Sequence, residues 1–319
     1  MQKKVLVTGI SGFAGSHLAE YLVLNEDYDV SGTYLSDASL QNISSIKDKL
    51  NLIKIDLINT SGVNELIKSV KPDYLFHLAA LTSPGDSFKN PIKTFTNNIA
   101  AQINILESVK KLELTARILI ISSGDVYGMV AKEDLPVDEE TRFMPTNPYA
   151  VSKITQDFLG LQYALSYKQN IIRVRPFNHI GPRQTEHFAV AAFSKKIAEI
   201  EKGKIEPVLY VGNLEAKRDF TDVRDTVRAY SLIVEEGKIG DVYNIGTGIS
   251  YKIQDILEKL LSFAKVKVEV KVDPNLFRPS DEQELICDST KLRKLTMWEP
   301  TIPIDKTLKD TLDYWRNII

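Results

Sequence analysis

Tyr149 and Lys153 stand in the stretch NPYAVSK, a phenol and an ammonium at positions i and i+4. On a helix those positions share a face, so the two groups converge. A cation beside a phenol stabilises phenolate and draws the tyrosine pKa down towards a useful range. A phenol so placed can exchange a proton with a reacting oxygen. A lone Y-x-x-x-K arises by chance about once in a chain of this kind, so its weight comes from its company. That company lies upstream. VTGISGFAGSHL sets Gly9, Gly12 and Gly15 after a β-rich run and at the start of a helical pattern. A strand-to-helix turn aims backbone N–H groups and the positive helix end at a pyrophosphate. Gly9 permits the tight turn, Gly12 a close phosphate approach, and Gly15 helix–strand packing. The spacing is G-x-x-G-x-x-G, not the G-x-G-x-x-G of simple dehydrogenases.

The end of the second strand should carry an acid if NAD is preferred, to bind the ribose 2′-hydroxyl. Here it ends Gly32-Thr33-Tyr34-Leu35, and the first acid, Asp37, falls too late. No arginine or lysine stands there to hold a 2′-phosphate. The missing acid favours NADP(H), with NAD(H) possible. Asp56 and Leu57, at the end of the third strand, are candidates for the adenine edge.

The elements that must position these residues alternate. Strands are expected at 3–9, 28–35, 50–57, 73–80 and 116–123, with helices at 16–25, 62–70 and 96–112. Leu18, Tyr21 and Leu22 share one face of the first helix. This rhythm implies a parallel sheet covered on both faces. Past residue 170 it loosens. A strand at 170–178, a helix at 191–203, a strand-to-loop unit at 240–248 and a closing amphipathic helix at 306–317 are expected. There are no repeats, low-complexity tracts or long linkers.

Composition excludes several classes. The 319 residues carry a formal net charge of −2, which gives no reason to expect a nucleic-acid partner. The one cysteine, Cys287, and four scattered histidines offer no disulfide framework and no metal-ligand spacing. No apolar run approaches membrane-spanning length, and the N-terminus lacks a signal-peptide pattern. A soluble cytoplasmic protein is expected, and the two N-x-S patterns at Asn42 and Asn59 read as chance.

Taken together, Gly9/Gly12/Gly15, HLAA at 77–80, SSGDVYG at 122–128, PTNPYAVSK at 145–153 and RPFNHIGPRQ at 175–184 resemble the extended short-chain dehydrogenase/reductase family that modifies nucleotide sugars. NLEAKRDFTDVRD at 213–225, GDVYNIGTG at 240–248 and RPSD at 278–281 continue the match over nearly the whole chain. Within the family, FNHIGP and GNLEAKRDFTDVRD are similar to the enzymes of GDP-mannose reduction and dehydration. The resemblance implies an α/β fold, a Rossmann-type doubly wound parallel sheet with a smaller C-terminal substrate-binding α/β domain. The dinucleotide domain would comprise residues 1–172 with about 220–246, and the nucleotide-sugar domain 173–219 with 247–319. It also implies roles. Ser123, Tyr149 and Lys153 would be catalytic: Ser123 bonding the sugar C4 oxygen, Tyr149 donating its proton, Lys153 tuning Tyr149 and holding the nicotinamide ribose. Phe13, Ala14, Thr33, Leu78, Ala79 and Ala80 would join the glycines, Asp56 and Leu57 around the cofactor. Asp125, Asn178, Val211, Arg218 and Arg278 would face a GDP-sugar, arginine's planar, permanently charged fork suiting phosphate. A homodimer through the helices near 96–112 and 149–167 is implied as well.

The reaction turns on two quiet positions. A 4,6-dehydratase needs a base, and often an acid, after the serine or threonine, commonly Asp-Glu or Ser-Glu. This chain has Gly124 and Asp125. Glycine offers no proton, and aspartate is one methylene shorter than glutamate. Reduction of a C4 ketone needs neither, so reduction is expected, with dehydration, epimerisation or a non-enzymatic NADP(H)-binding regulator as alternatives. Asp125 could instead satisfy loop N–H groups. His179 reads as a satisfied loop histidine, Lys195 and Lys196 as a solvated helix face, and Phe13, Phe177 and Phe220 as packing or recognition.

Overall fold

The computed structural model describes residues 2–277 and 284–319. Arg278 lies outside the described residues. The first half alternates as expected: β1 Lys3–Thr8, α1 Phe13–Leu22, β2 Tyr28–Tyr34, β3 Asn51–Lys54, α2 Thr60–Val70, β4 Tyr74–His77, α3 Pro84–Lys89, α4 Pro91–Lys111, β5 Arg117–Ile121, α5 Pro148–Tyr167 and β6 Ile171–Pro176. The second half runs β7 Asn178–Ile180, α6 Ala189–Glu201, β8 Val208–Val211, β9 Lys217–Asp222, α7 Val223–Glu236, β10 Val242–Ile245, β11 Ser250–Lys252, α8 Ile253–Ser262, β12 Glu269–Val272, β13 Glu284–Leu285, α9 Thr290–Thr296 and α10 Ile304–Ile318.

Seven parallel strands form one sheet in the order β10-β6-β5-β4-β1-β2-β3. Every residue of β4 and β6 is buried, as their continuous apolar runs require when helices cover both faces. One face carries α1 and α7 through Leu18, Leu22, Val227, Tyr230 and Ile233. The other carries α2, α4 and α5 through Ile67, Ile105, Val109 and Tyr163. The order reverses at β1, which has β2 on one side and β4 on the other, and at such a point the strand ends open a crevice. A separate core joins α6, α8 and α10 to β8 and β9, with Val190, Ile197, Leu209, Leu257, Leu308 and Trp315 buried in it. Its strands form two small sheets, one built on β9 and one pairing β12 with β8.

Two expectations change in detail. Tyr21 does not share the buried face of α1; Ala19 is buried beside Leu18 and Leu22, while Tyr21 is exposed. The third strand stops at Lys54, so Asp56 and Leu57 lie in the turn beyond it, where Asn59 N–H bonds the Asp56 carbonyl at 3.0 Å. The 3₁₀ turns at Asp37–Lys49 and the short strands β7, β8, β9, β11, β12 and β13 had no sequence period long enough to mark them.

Two buried polar systems fix the elements that matter for function. Amides stitch α4 to α5: Gln102 Nε2 donates to the Gln156 carbonyl at 2.7 Å, and Gln156 Nε2 to the Asn98 carbonyl at 3.0 Å. Asn98 Nδ2 also reaches Ser152 Oγ at 3.1 Å. Behind β6, the Asp157 carboxylate accepts Arg173 Nη1 at 2.5 Å and Arg175 Nε at 2.8 Å. Arg175 Nη1 continues to the Tyr127 hydroxyl at 3.0 Å, which donates to Asn244 Oδ1 at 2.7 Å.

Candidate active site

The crevice at the strand ends opens into a cavity of about 720 Å³ that runs from the glycine turn to β9. Gly9, Gly12, Phe13, Ala14, Gly15, Thr33, Asp56, Leu57, Leu78, Ala79 and Ala80 all line its first half. The turn works as its glycines require. Gly9 has φ +70°, and a Cβ on it would meet Ala79 Cα at 3.0 Å. A Cβ on Gly15 would lie 2.1 Å from the Gly9 carbonyl oxygen, far inside van der Waals contact distance. Gly15→Ala is therefore expected to lower stability by about 1–3 kcal/mol and to abolish dinucleotide binding. Thermal unfolding with and without the dinucleotide checks this; an unchanged ligand-induced shift would contradict it.

The catalytic candidates meet at the centre. Asn147 caps α5 by accepting Ala150 N–H at 2.8 Å, and Pro148 occupies the first turn, so the helix starts with Tyr149 already aimed inward. Tyr149 N–H donates to Ser87 Oγ at 3.1 Å, tying it to α3. Lys153, one turn on, sends its ammonium to the Ile121 carbonyl at 2.8 Å. Ser122 Oγ in turn donates to the Lys153 carbonyl at 3.3 Å, so α5 is clamped to the end of β5. Ser123 does two things. Its hydroxyl accepts Asp125 N–H at 3.2 Å, capping a short 3₁₀ turn over Gly124–Val126, and it is hydrogen-bonded to the Tyr149 side chain.

Electrostatics correct one expectation. Tyr149 is pushed above the ordinary tyrosine range, not below it: burial dominates, Asp125 adds to it, and the Ser123 bond opposes them. Lys153 cannot reverse this. It is itself buried, and desolvation lowers its ammonium to about 7. Its Nζ sits 5.9 Å from the Tyr149 ring centroid. His77, below the pair, is held neutral, its pKa lowered to about 3 by burial and then by Lys153.

Gly124 gains a physical reason beyond its missing proton. A Cβ there would stand 2.9 Å from Cδ2 of Phe177, whose buried ring fills that space and also lines the cavity. Phe177 thus packs and lines at once.

Asp125, Asn178 and Arg218 line the other half of the cavity. Val211 does not: its side chain is buried in the C-terminal core, and the neighbouring Gly212 and Asn213 face the cavity instead. His179 is satisfied, its Nδ1 3.1 Å from the Phe177 carbonyl, yet its ring also lines the cavity, stacked 5.7 Å from Phe13. Lys195 pairs with Glu186 at 2.9 Å, in keeping with a solvated face. Sequence reasoning missed Ser36, Ser39, Gln184, Phe188 and Tyr230, which also line the cavity. They sit in segments without strong periodicity or, like Tyr230, on a helix whose inward face reads only as core. Among the described residues, no group of three metal-binding side chains comes together.

The model of the family described as GDP-mannose 4,6 dehydratase matches residues 6–311. The chain belongs to that family. It is one of the extended short-chain dehydrogenases/reductases, with their Rossmann-type fold. The chain is 33% identical to GDP-6-deoxy-D-mannose reductase of Pseudomonas aeruginosa, over 99% of this chain and 98% of that one. It is 28% identical to a GDP-mannose 4,6-dehydratase of Vibrio cholerae, over 96% of this chain and 92% of that one. Among solved structures, RMD from Pseudomonas aeruginosa complexed with NADPH matches with a TM-score of 0.86 at 32% identity, covering 100% of both chains. UDP-glucose 4-epimerase of Thermus thermophilus, in complex with NAD, matches with a TM-score of 0.87 at 27% identity, covering 99% of this chain and 100% of that one.

Proposed function

We propose that this protein is an NAD(P)H-dependent reductase of the C4 ketone of a GDP-linked 4-keto-6-deoxyhexose, converting GDP-4-keto-6-deoxy-D-mannose to GDP-D-rhamnose. One observation carries the choice within the family. Ser123, Tyr149 and Lys153 converge, while the position after Ser123 is a glycine whose side-chain space is taken by Phe177.

Bound NAD(P)H would supply the hydride; the glycine turn, Thr33, Asp56 and Leu57 would hold it. Ser123 donates a hydrogen bond to the sugar C4 oxygen and orients the carbonyl. Tyr149, kept protonated by burial, gives its proton to that oxygen as the carbonyl becomes an alkoxide. Lys153 in its charged form stabilises the phenolate left behind. Asp125 stays near Tyr149 and favours the protonated phenol from which the transfer starts. Asn178 and Arg218 bind the nucleotide's phosphates and ribose, with Gly212 and Asn213 in the place first given to Val211. The dinucleotide sits on the seven-stranded sheet and the GDP-sugar against the C-terminal core; α9, which the sequence reading groups with residues 247–319, packs Leu292 into the core of the large sheet instead. NADP(H) is the favoured cofactor, supported by the relative complexed with NADPH.

The protein works as a homodimer in the cytoplasm. Supporting the dimer, Val151, Phe158 and Leu165 recur on one outward stripe of α5, and Phe158 and Leu165 are 50% and 61% exposed. On α4, Ile92 is 82% exposed. Supporting the compartment, no helix among the described residues is long and apolar enough to cross a membrane.

Dehydration is the second reading, because relatives at 28% identity carry that name. Incubation with GDP-mannose and NADP⁺ separates the two. No 4-keto sugar is expected; steady release of one would replace reduction with dehydration.

A further inference from the structure

The end of the second strand carries neither an acid for a 2′-hydroxyl nor a cation for a 2′-phosphate. The fold supplies what that strand does not carry. Tyr34, the last residue of β2, is in register with Lys54, the last residue of β3. Paired residues of parallel strands present their side chains on the same face of the sheet. The Lys54 ammonium meets the Asp37 carboxylate, which follows directly on the cavity-lining run Thr33–Ser36. A lysine remote in sequence and an acid placed too late to be the usual 2′-hydroxyl ligand therefore form an ion pair at the lip where the adenosine ribose belongs.

Among the described residues lining the cavity, Lys153 and Arg218 are the only lysine and arginine, Lys153 in the catalytic centre and Arg218 in the sugar half. Arg183 also touches the 3₁₀ segment, but its guanidinium is spent on the Asn42 carbonyl, His17 Nδ1 and Glu20. Ser11 and Ser39, which line this end, are bonded to one another at 2.6 Å, and the Asp56 carboxylate beyond them carries the opposite charge.

We propose that the Asp37–Lys54 pair sets the choice between NADPH and NADH, Lys54 engaging the 2′-phosphate and Asp37 opposing it. The pair is exposed, at 52% for Lys54 and 66% for Asp37, so the lysine can leave its partner for a doubly charged phosphate without desolvation. With Lys54 gone, Asp37 faces that phosphate as a like charge. This rests on the dinucleotide-dependent reading of the site, though not on which sugar is reduced.

The test measures dissociation constants of NADPH and NADH for the full-length protein by titration calorimetry. Lys54→Met is expected to weaken NADPH about tenfold, the scale of one charge-assisted contact, and to leave NADH within about twofold. Asp37→Asn should tighten NADPH, and the double variant should recover part of the Lys54→Met loss. The wild-type preference should shrink in high salt, as an exposed charge contact does. Equal weakening of both dinucleotides, or none, would overturn the role of the pair while sparing the functional reading. A specific loss of NADH in Asp37→Asn would overturn it too, by making Asp37 a 2′-hydroxyl ligand. A wild-type protein that binds neither dinucleotide would remove the functional reading along with it.

Discussion

Tyr149→Phe is expected to lower kcat for ketone reduction by about 10²–10⁴-fold while leaving dinucleotide affinity within about threefold. The substitution keeps the buried ring and the backbone bond to Ser87, and removes only the hydroxyl that meets Ser123. Without it, the alkoxide forming at C4 must take its proton from water. The pH dependence sharpens this. Burial holds Tyr149 protonated across the neutral range, so the donor itself gives no alkaline limb there. Lys153 does. In the dinucleotide-free protein its ammonium titrates at about 7, far below the ordinary lysine, because burial disfavours the charged form. As pH rises through that value, Lys153 loses the charge that steadies the phenolate, and kcat/KM should fall. Lys153→Met should abolish that limb along with most of the rate. A kcat/KM profile flat to pH 9 in the wild type would contradict the assignment.

Asp157→Ala is the second large effect, and it acts on stability. The carboxylate is fully buried between Arg173 and Arg175, both nearly so. Removing it strands two guanidinium groups where water cannot reach them, at a cost of about 3–5 kcal/mol. The damage should not stop at the fold. Arg175 also bonds the Tyr127 hydroxyl and the Glu139 carbonyl, and Tyr127 closes the turn that carries Ser123 and Asp125. Residual folded protein should therefore turn over more slowly. Denaturant unfolding checks the first effect; a loss under about 1 kcal/mol would mean that the arginines find other partners.

What could be read from the sequence was what is local along the chain. The glycine turn, the i and i+4 pair at Tyr149 and Lys153, and the apolar runs of β4 and β6 each carry their signal within a few residues. What could not be read depends on neighbours brought from elsewhere. Lys54 reaches the end of β2 only because β3 is its register partner. Phe177 explains Gly124 only once β6 lies beside β5. The direction of the Tyr149 shift failed for the same reason. A nearby lysine argues for a lower pKa, but burial of both side chains, invisible along the chain, outweighs it. Val211 fell on a strand whose alternation turns its side chain into the core, with the glycine and asparagine beyond it facing the cavity.

The central claim is carbonyl reduction at the Ser123–Tyr149–Lys153 site. The most direct measurement mixes the protein with GDP-4-keto-6-deoxymannose and NADPH, follows NADPH absorbance, and identifies the sugar product. The account predicts that NADPH is consumed in equal amount to the keto sugar and that GDP-D-rhamnose is formed. No NADPH consumption with the keto sugar, together with dehydration of GDP-mannose by the same preparation, would contradict it.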